Sequence, residues 1–245
     1  ADTVSAKDGG GFGGNISTSG TLAVTGASTL TGGIANGVTI NGTTPTLTIG
    51  DAGAEDAKIV FDGNAQDYHI GLDDSADTLV IGKGSALGTT TAMSFDANGI
   101  ITKPLQPAFH VTISSSQTNF AVATTHTIVF GTEIYDQNAD FASNTFTAPV
   151  TGKYLLVANM GLLNIDIDAS YLYIQIVTSN RNYLNMKDFR ALDFDATYWS
   201  QSVTGIADMD ANDTAIVQLR ITGGAAQTDL EANEAYTYFS GYLLG

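Results

Sequence analysis

The sequence predicts an all-β protein in two parts, a repetitive β shaft toward the N-terminus and a jelly-roll β-sandwich head toward the C-terminus. The 245 residues include 27 Gly but only 4 Pro. Most apolar stretches are short and alternate with polar residues, which is typical of strands joined by many turns. Near residue 104 the apolar stretches become longer and richer in aromatic residues. The change indicates two β-rich domains, and no amphipathic helix is predicted.

Three segments are expected along the chain. Residues 1–20 contain a glycine-rich run and are expected to form a flexible attachment segment. Residues 21–103 are expected to form the shaft and residues 104–245 the head. Pro104 and Pro107 mark the boundary, since a proline cannot donate the hydrogen bond that a continuous strand requires.

Short repeats fill the predicted shaft. Residues 46–50 recur as residues 78–82, and residues 59–64 recur as residues 93–98. Each unit is a predicted strand of about four residues that ends in a turn-forming residue such as Gly or Asn. One copy buries too little apolar surface to offset its chain entropy. We therefore expect three chains to wrap together into a trimeric shaft.

The head contains eight predicted strands, separated by clusters of Gly, Asn, Asp and Ser. These strands are residues 109–113, 127–135, 145–148, 152–163, 171–178, 197–206, 215–221 and 235–244. Eight strands of this length fit a two-sheet jelly roll.

Two strands of the head carry side chains suited to packing on both of their faces. Tyr171 and Tyr173 alternate with aliphatic residues on one strand, and Tyr236, Tyr238 and Tyr242 alternate with apolar or small residues near the C-terminus. One face of a strand can pack the core while the other packs against a neighbour around a three-fold axis. The pattern predicts a homotrimer.

Composition limits the function. The chain has 25 acidic and 9 basic residues, a formal net charge of −16, and it has no cysteine. Such a surface repels phosphate backbones, so nucleic acid is not expected as a partner. Disulfides and thiolate metal sites are impossible, so oligomerisation is the expected source of extra stability. There is no apolar run of 18 residues, so no membrane insertion is expected.

Aromatic residues recur in the head at regular spacings. The pattern consists of Phe130-x5-Asp136-x4-Phe141, Phe146-x5-Gly152-x-Tyr154 and Phe239-x-Gly241-x-Leu243. It resembles the C1q-type globular domain, a jelly roll shared with tumour-necrosis-factor-like ligands. Four residues separate Phe141 from Phe146, where that family usually has six. The resemblance implies a trimeric, non-enzymatic head in which these nine residues form the family pattern of the core.

The shaft repeats resemble those of bacteriophage tail fibres, particularly of phages of marine bacteria and cyanobacteria. Residues 20–33 and 57–77 carry this likeness. The two resemblances together imply an extracellular virion fibre that joins other virion or tail proteins through its N-terminus. Its head would recognise a glycan or protein on the host surface. Two alternatives are a structural virion appendage without receptor binding, and a secreted C1q-like trimeric binding protein.

The segment from residue 180 to residue 199 combines aromatic and basic side chains. Side chains of these types often form contact sites for sugars or proteins. The same aromatic residues would also suit a strand that faces the core. The candidates for receptor contact are Arg181, Tyr183, Lys187, Arg190 and Trp199.

No catalytic motif is present. The three histidines, His69, His110 and His126, lie in different predicted elements and have no metal-ligand spacing. A serine-based triad lacks a supporting motif. We therefore expect no enzymatic activity and no cofactor, with Ca²⁺ as the one ion to consider.

A calcium site is considered at one acidic turn. Asp208, Asp210 and Asp213 alternate in the manner of the first half of a calcium loop. The glycine and glutamate of an EF-hand are missing, since Asp213 and Leu219 occupy those positions. Ordinary turn formation is the favoured interpretation, and Ca²⁺ binding is the alternative.

Overall fold

A computed structural model describes residues 39–245 of the chain. The chain divides between Thr48 and Ile49 into two units, and the strands of the described part all lie in the second unit. The predicted attachment segment and the first shaft repeats, up to residue 38, lie outside the described residues.

Seventeen strands and one 3₁₀ turn, Asp74–Ala76, form the regular structure of the described part. The strands are β1 (Ala57–Phe61), β2 (Tyr68–Asp73), β3 (Thr78–Lys83), β4 (Thr91–Phe95), β5 (Ile101–Thr102), β6 (Ala108–Thr112), β7 (Thr125–Thr127), β8 (Thr132–Gln137), β9 (Phe141–Ala142), β10 (Thr145–Thr147), β11 (Gly152–Ile165), β12 (Ala169–Thr178), β13 (Asn182–Asp188), β14 (Ala196–Met209), β15 (Thr214–Gly223), β16 (Asp229–Leu230) and β17 (Tyr238–Leu243).

The first sheet contains β1 to β5 in chain order, and every neighbouring pair is antiparallel. In the second repeat pair, β1 contains the first three residues of 59–64 and β4 contains the first three residues of 93–98. Residues 46–50, however, form no strand, although their copy is β3. The prediction of a strand there was wrong. In the described part of the chain, β3 has a partner strand on each side, whereas residues 46–50 pair with no strand.

The head is a sandwich of two sheets. The β12 sheet has the order β13-β12-β15-β10-β9, with β7 beside β15. The β11 sheet has the order β14-β11-β17-β6-β8, with β16 beside β11. The prediction of an all-β jelly-roll head is confirmed.

Two details of the head differ from the predicted strands. Residues 127–135 are not one strand, because the chain leaves the β12 sheet after β7 and enters the β11 sheet as β8. A strand that sequence reasoning missed, β13, pairs with β12 along seven residues. Most of its side chains are exposed, so it lacks the alternation that reveals a half-buried strand.

A cluster of aromatic rings fills the centre of the sandwich. The ring of Phe109 lies 4.6 Å from that of Phe146, 5.3 Å from that of Phe141 and 4.9 Å from that of Phe239, measured between centroids. Offset and edge-on contacts of this kind stabilise beyond the area that they bury. The remaining members are Phe130 and Tyr154. Five residues of the aromatic spacing pattern thus lie in one core cluster.

Asp136 belongs to the same spacing pattern but has a polar role. Its carboxylate accepts hydrogen bonds from the backbone N–H groups of Asp140 and Phe141, at 3.0 and 2.9 Å. The two bonds close the turn between β8 and β9. They place Phe141 where its side chain enters the core.

Two glycines of the pattern lie in close packing. A Cβ atom on Gly241 would lie 2.3 Å from a ring carbon of Phe109 and 2.9 Å from a methyl group of Leu156. A Cβ atom on Gly152 would lie 2.7 Å from a methyl group of Leu243. Neighbouring side chains therefore fill the space that a side chain at position 241 or 152 would need.

Candidate functional site

The long strand β11 defines two ends of the head. At its start, Lys153 donates a backbone hydrogen bond to the Gly245 carbonyl, and Leu243 donates one to the Pro107 carbonyl. This end, beside the connection to β5, is called the proximal end. The last residue of β11, Ile165, lies thirteen residues on, roughly 40 Å away at the rise of a strand. That end is called the distal end.

A recess of about 290 Å³ opens toward the distal end. It forms where β14 pairs with β11 and where the segment between β16 and β17 crosses β11. Its lining residues are Gly161, Leu162, Tyr198, Trp199, Ser200, Glu231 and Tyr236. We call it the distal recess.

Close packing shapes the floor of the distal recess. A Cβ atom on Gly161 would lie 2.3 Å from the Tyr236 ring, so only glycine lets that ring lie against the strand. The Tyr198 side chain remains free, and the residue is 75% exposed. An exposed aromatic ring beside a recess offers a flat apolar surface for a ligand.

The distal recess also contains a carboxylate. The nearby Glu231 carboxylate raises the pKa of the Tyr236 hydroxyl. The Oε2 atom of Glu231 is buried and has no hydrogen-bond partner. A buried acceptor without a partner costs free energy. A ligand that donates a hydroxyl or amino hydrogen would remove that cost.

Trp199 connects the recess to the basic residues of β13. Its ring packs edge-on against Phe189, with centroids 5.2 Å apart. The Nζ atom of Lys187 lies 5.3 Å from the centre of the Trp199 ring, within the range of a cation–π contact. Two interpretations of the aromatic residues between positions 180 and 199 were considered, a contact site and a strand that faces the core. Trp199 fits both, since it packs against the core and also contacts a cation.

The five receptor-contact candidates do not form one site. Lys187, Arg190 and Trp199 lie toward the distal end, and Arg190 pairs there with Asp188. Arg181 lies at the proximal end, since β13 runs between the two ends and separates Arg181 from Lys187 by roughly 20 Å. The structure therefore separates Arg181 from the distal recess.

Tyr183 has a structural role. Its ring lies against Gly205, where a Cβ atom would be only 2.4 Å away, and its hydroxyl donates to the Ile206 carbonyl at 2.8 Å. Asn185, two residues further along β13, donates to the Ser202 carbonyl at 2.6 Å. The Tyr183 and Asn185 side chains thus form hydrogen bonds with the outer edge of β14 and link the two sheets on that side.

The carboxylates of the acidic turn already have hydrogen-bond or ion-pair partners within the protein. Asp208 pairs with Arg181 at 2.8 Å, and Asp213 accepts hydrogen bonds from the backbone of Asp210 and from Asn180. Within residues 39–245, no group of three or more His, Asp or Glu side chains is arranged to hold a metal ion. These contacts are those of a turn, and Ca²⁺ binding there stays a prediction.

The outward side of the β11 sheet lacks charge along its middle. The residues directed outward there are small, polar and apolar, and Ile206 is 58% exposed. They are Leu155, Val157, Asn159, Ser202, Thr204, Ile206, Tyr238, Ser240 and Tyr242. We call this surface the uncharged face. His110 lies beside it, bonded to Ser240, and burial lowers its pKa, so it is neutral near pH 7.

Sequence reasoning missed Glu231 and Tyr236 as parts of a site. The distal recess combines three segments that are far apart in the chain, around residues 161, 199 and 234. Strand pairing brings them together, so no local motif marks them. Among the lining residues, Trp199 is the one that the sequence identified as a contact candidate.

The comparisons with known proteins concern the head. The globular domain of zebrafish complement 1qA protein is 17% identical, with 57% of this chain and 98% of that chain covered and a TM-score of 0.39. Murine APRIL at pH 8.5 is 11% identical, with 57% and 99% covered and a TM-score of 0.42. A search of curated proteins found no match. Among residues 39–245, no helix has the length and apolar character needed to cross a membrane.

A family model identifies the head directly. The model of the C1q domain matches residues 108–244, more than half of the chain. Domains of this kind are typically trimeric, ligand-binding and extracellular, and they are generally non-enzymatic. The chain belongs to the C1q domain family.

Proposed function

We propose that the chain is the subunit of an extracellular homotrimer whose head binds a host-surface receptor at the distal recess. The observation that carries the proposal is the recess itself, in which an exposed Tyr198 ring stands beside a buried Glu231 oxygen without a partner. A convergent aromatic surface and polar acceptor are usual features of ligand sites.

The chemistry of the recess favours a glycan. A sugar offers an apolar C–H face that can stack on Tyr198 and hydroxyl groups that can donate to Glu231. The volume of about 290 Å³ lies at the small end of ligand sites, which suits one or two sugar units at the tip of a chain. The net charge of −16 disfavours a strongly anionic polysaccharide.

The uncharged face supports self-association. Copies of a chain with a net charge of −16 repel one another across most of their surface. The middle of the β11 sheet is different, since apolar residues such as Leu155, Val157 and Ile206 lie there among small polar ones. Charge-poor surfaces with exposed apolar residues are typical of contacts between copies.

The wider role is a virion fibre. The shaft repeats, with their likeness to bacteriophage tail fibres, support a bacteriophage origin, attachment to the particle through the N-terminus and presentation of the heads to a host. A virion fibre and the alternative, a secreted C1q-like binding protein, would use the same head. Electron microscopy of the particles that carry the chain would separate them.

Replacing Tyr198 by alanine tests the binding site. We expect the wild-type protein to bind saturably to an array of bacterial surface glycans, and Tyr198→Ala to weaken that binding about tenfold, as for a central contact residue. Leu184→Ala, which alters an exposed residue on the β12 sheet, is the matched control and should bind normally. An unchanged affinity in Tyr198→Ala, or no binding to any glycan, would contradict the proposal.

Introducing a charge on the uncharged face tests the trimer. Wild-type protein should have three times the chain mass of 25.5 kDa in mass photometry. Ile206→Asp should raise the concentration at which the trimer half-dissociates by about tenfold or more, because the introduced carboxylate of every copy loses water in the contact. Leu184→Asp, on the other sheet, should leave the trimer unchanged. A monomeric wild-type protein would overturn this part of the proposal.

A further inference from the structure

One face of the β1–β5 sheet is apolar from edge to edge. Directly paired residues share a face of a sheet, so the register defines its composition. The residues of this face form three rows, Ala57-Leu72-Leu79-Phe95-Ile101, Ile59-Ile70-Ile81-Met93 and Phe61-Tyr68-Lys83. We call it the apolar shaft face. Lys83, at its rim, is its one charged residue.

The opposite face of the same sheet is already covered. Val80 and His69 are buried there, and a side chain on Gly82 would collide with the His69 ring. The segment after β3 lies over this side, where Leu87 approaches Gly71. A hydrogen bond from the Lys58 ammonium group to the Ser85 carbonyl, 2.8 Å long, holds the same segment in place. The segment after β3 therefore covers the middle of this face, whereas Val60 on the outer strand β1 stays 37% exposed.

Within residues 39–245, no segment covers the apolar shaft face, which is exposed to water. Seven of its large apolar residues are between 37% and 60% exposed. Four strands of five or six residues and one strand of two residues cover on the order of 400 Å². A continuous apolar surface of this size in a soluble protein marks an interaction site.

We propose that the apolar shaft face packs against the same face of two further copies of this chain. The inference rests on the proposed trimer and identifies the surface that the shaft uses within it. Five residues, 103–107, connect β5 to the first strand of the head. A trimer of heads would hold three such sheets within reach of one another, at an effective concentration in the millimolar range.

Size and charge also favour copies of this chain as the occupant. A surface of on the order of 400 Å² is about half of the roughly 800 Å² that each partner contributes to a standard stable interface. The apolar shaft face would thus associate weakly alone and firmly when the head joins the copies. Its lack of carboxylates lets chains of net charge −16 meet there without repulsion.

Single cysteines in the full chain test this packing, since the sequence has no cysteine of its own. Ile81→Cys lies on the middle strand of the apolar shaft face, and Leu72→Cys is a second position on it. Val60→Cys is the matched control, because Val60 and Ile81 are both 37% exposed but lie on opposite faces. Maleimide labelling should be at least tenfold slower for Ile81→Cys than for Val60→Cys. Oxidation with copper phenanthroline should give covalent dimers from at least one of the two face variants and none from Val60→Cys.

The mass of each variant separates two kinds of failure. A trimer in which Ile81→Cys is labelled as fast as Val60→Cys would overturn the inference and leave the proposed function standing. Slow labelling with only single-chain bands from both face variants would also overturn it, because another segment would then cover the face. A monomeric protein would overturn the inference and the trimer together.

Discussion

Phe109→Ala is expected to lower the free energy of unfolding of the head by about 3–5 kcal/mol, the range for removal of a buried phenylalanine ring. Phe109 is fully buried and contacts three other aromatic rings, so its removal leaves a cavity that neighbours on two sheets cannot fill. Guanidinium unfolding followed by the fluorescence of Trp199, the sole tryptophan, measures the change. Protein concentration is kept equal, because association adds to apparent stability.

An exposed phenylalanine serves as the control for this measurement. Phe194 is 69% exposed, and Phe194→Ala should change the free energy of unfolding by less than about 0.5 kcal/mol. A loss below about 1.5 kcal/mol in Phe109→Ala would show that the aromatic cluster does not form the centre of the core.

Gly241→Ala is expected to destabilise the head by about 1–3 kcal/mol through overpacking. The added methyl group would collide with Phe109 and Leu156, and β17 lies in the middle of its sheet, where the backbone has little room to move. The same unfolding measurement reports the loss. Normal stability in this variant would contradict the close contact between Gly241 on β17 and Phe109 on β6.

The double variant Phe109→Ala/Gly241→Ala provides a sharper check. Removal of the Phe109 ring creates the space that the methyl group on residue 241 needs. The two losses should therefore not add, and the double variant should be more stable than their sum by about 0.5–3 kcal/mol. Additive losses would place the two residues out of contact.

The sequence predicted the parts of the fold that leave a local pattern. β11, β12, β14 and β15 alternate between buried and exposed residues, and an alternation of period two is visible in a sequence. β13 was missed because its outward face mixes the exposed Leu184 and Met186 with polar residues, and its other face bonds a neighbouring strand edge, so no apolar–polar alternation appears. The aromatic spacing pattern also identified the family, since rings of fixed spacing meet in one core.

The candidate site was much harder to predict. Basic and aromatic residues between positions 180 and 199 suggested one contact surface, but β13 carries them to opposite ends of the head. Glu231 and Tyr236 reach the distal recess only through the pairing of β16 and β17 with β11. Such a site depends on long-range register, which no short segment of sequence contains.

The side chains along β13 affect whether another molecule can add a strand to the neighbouring sheet edge. An unpaired strand at the border of a sheet can recruit an extended segment of another molecule, which is a route to fibrous aggregates. Tyr183 and Asn185 occupy the carbonyl groups of Ile206 and Ser202 that such a segment would need. The β14 edge of the head is therefore a poor template for strand addition by another copy of the chain.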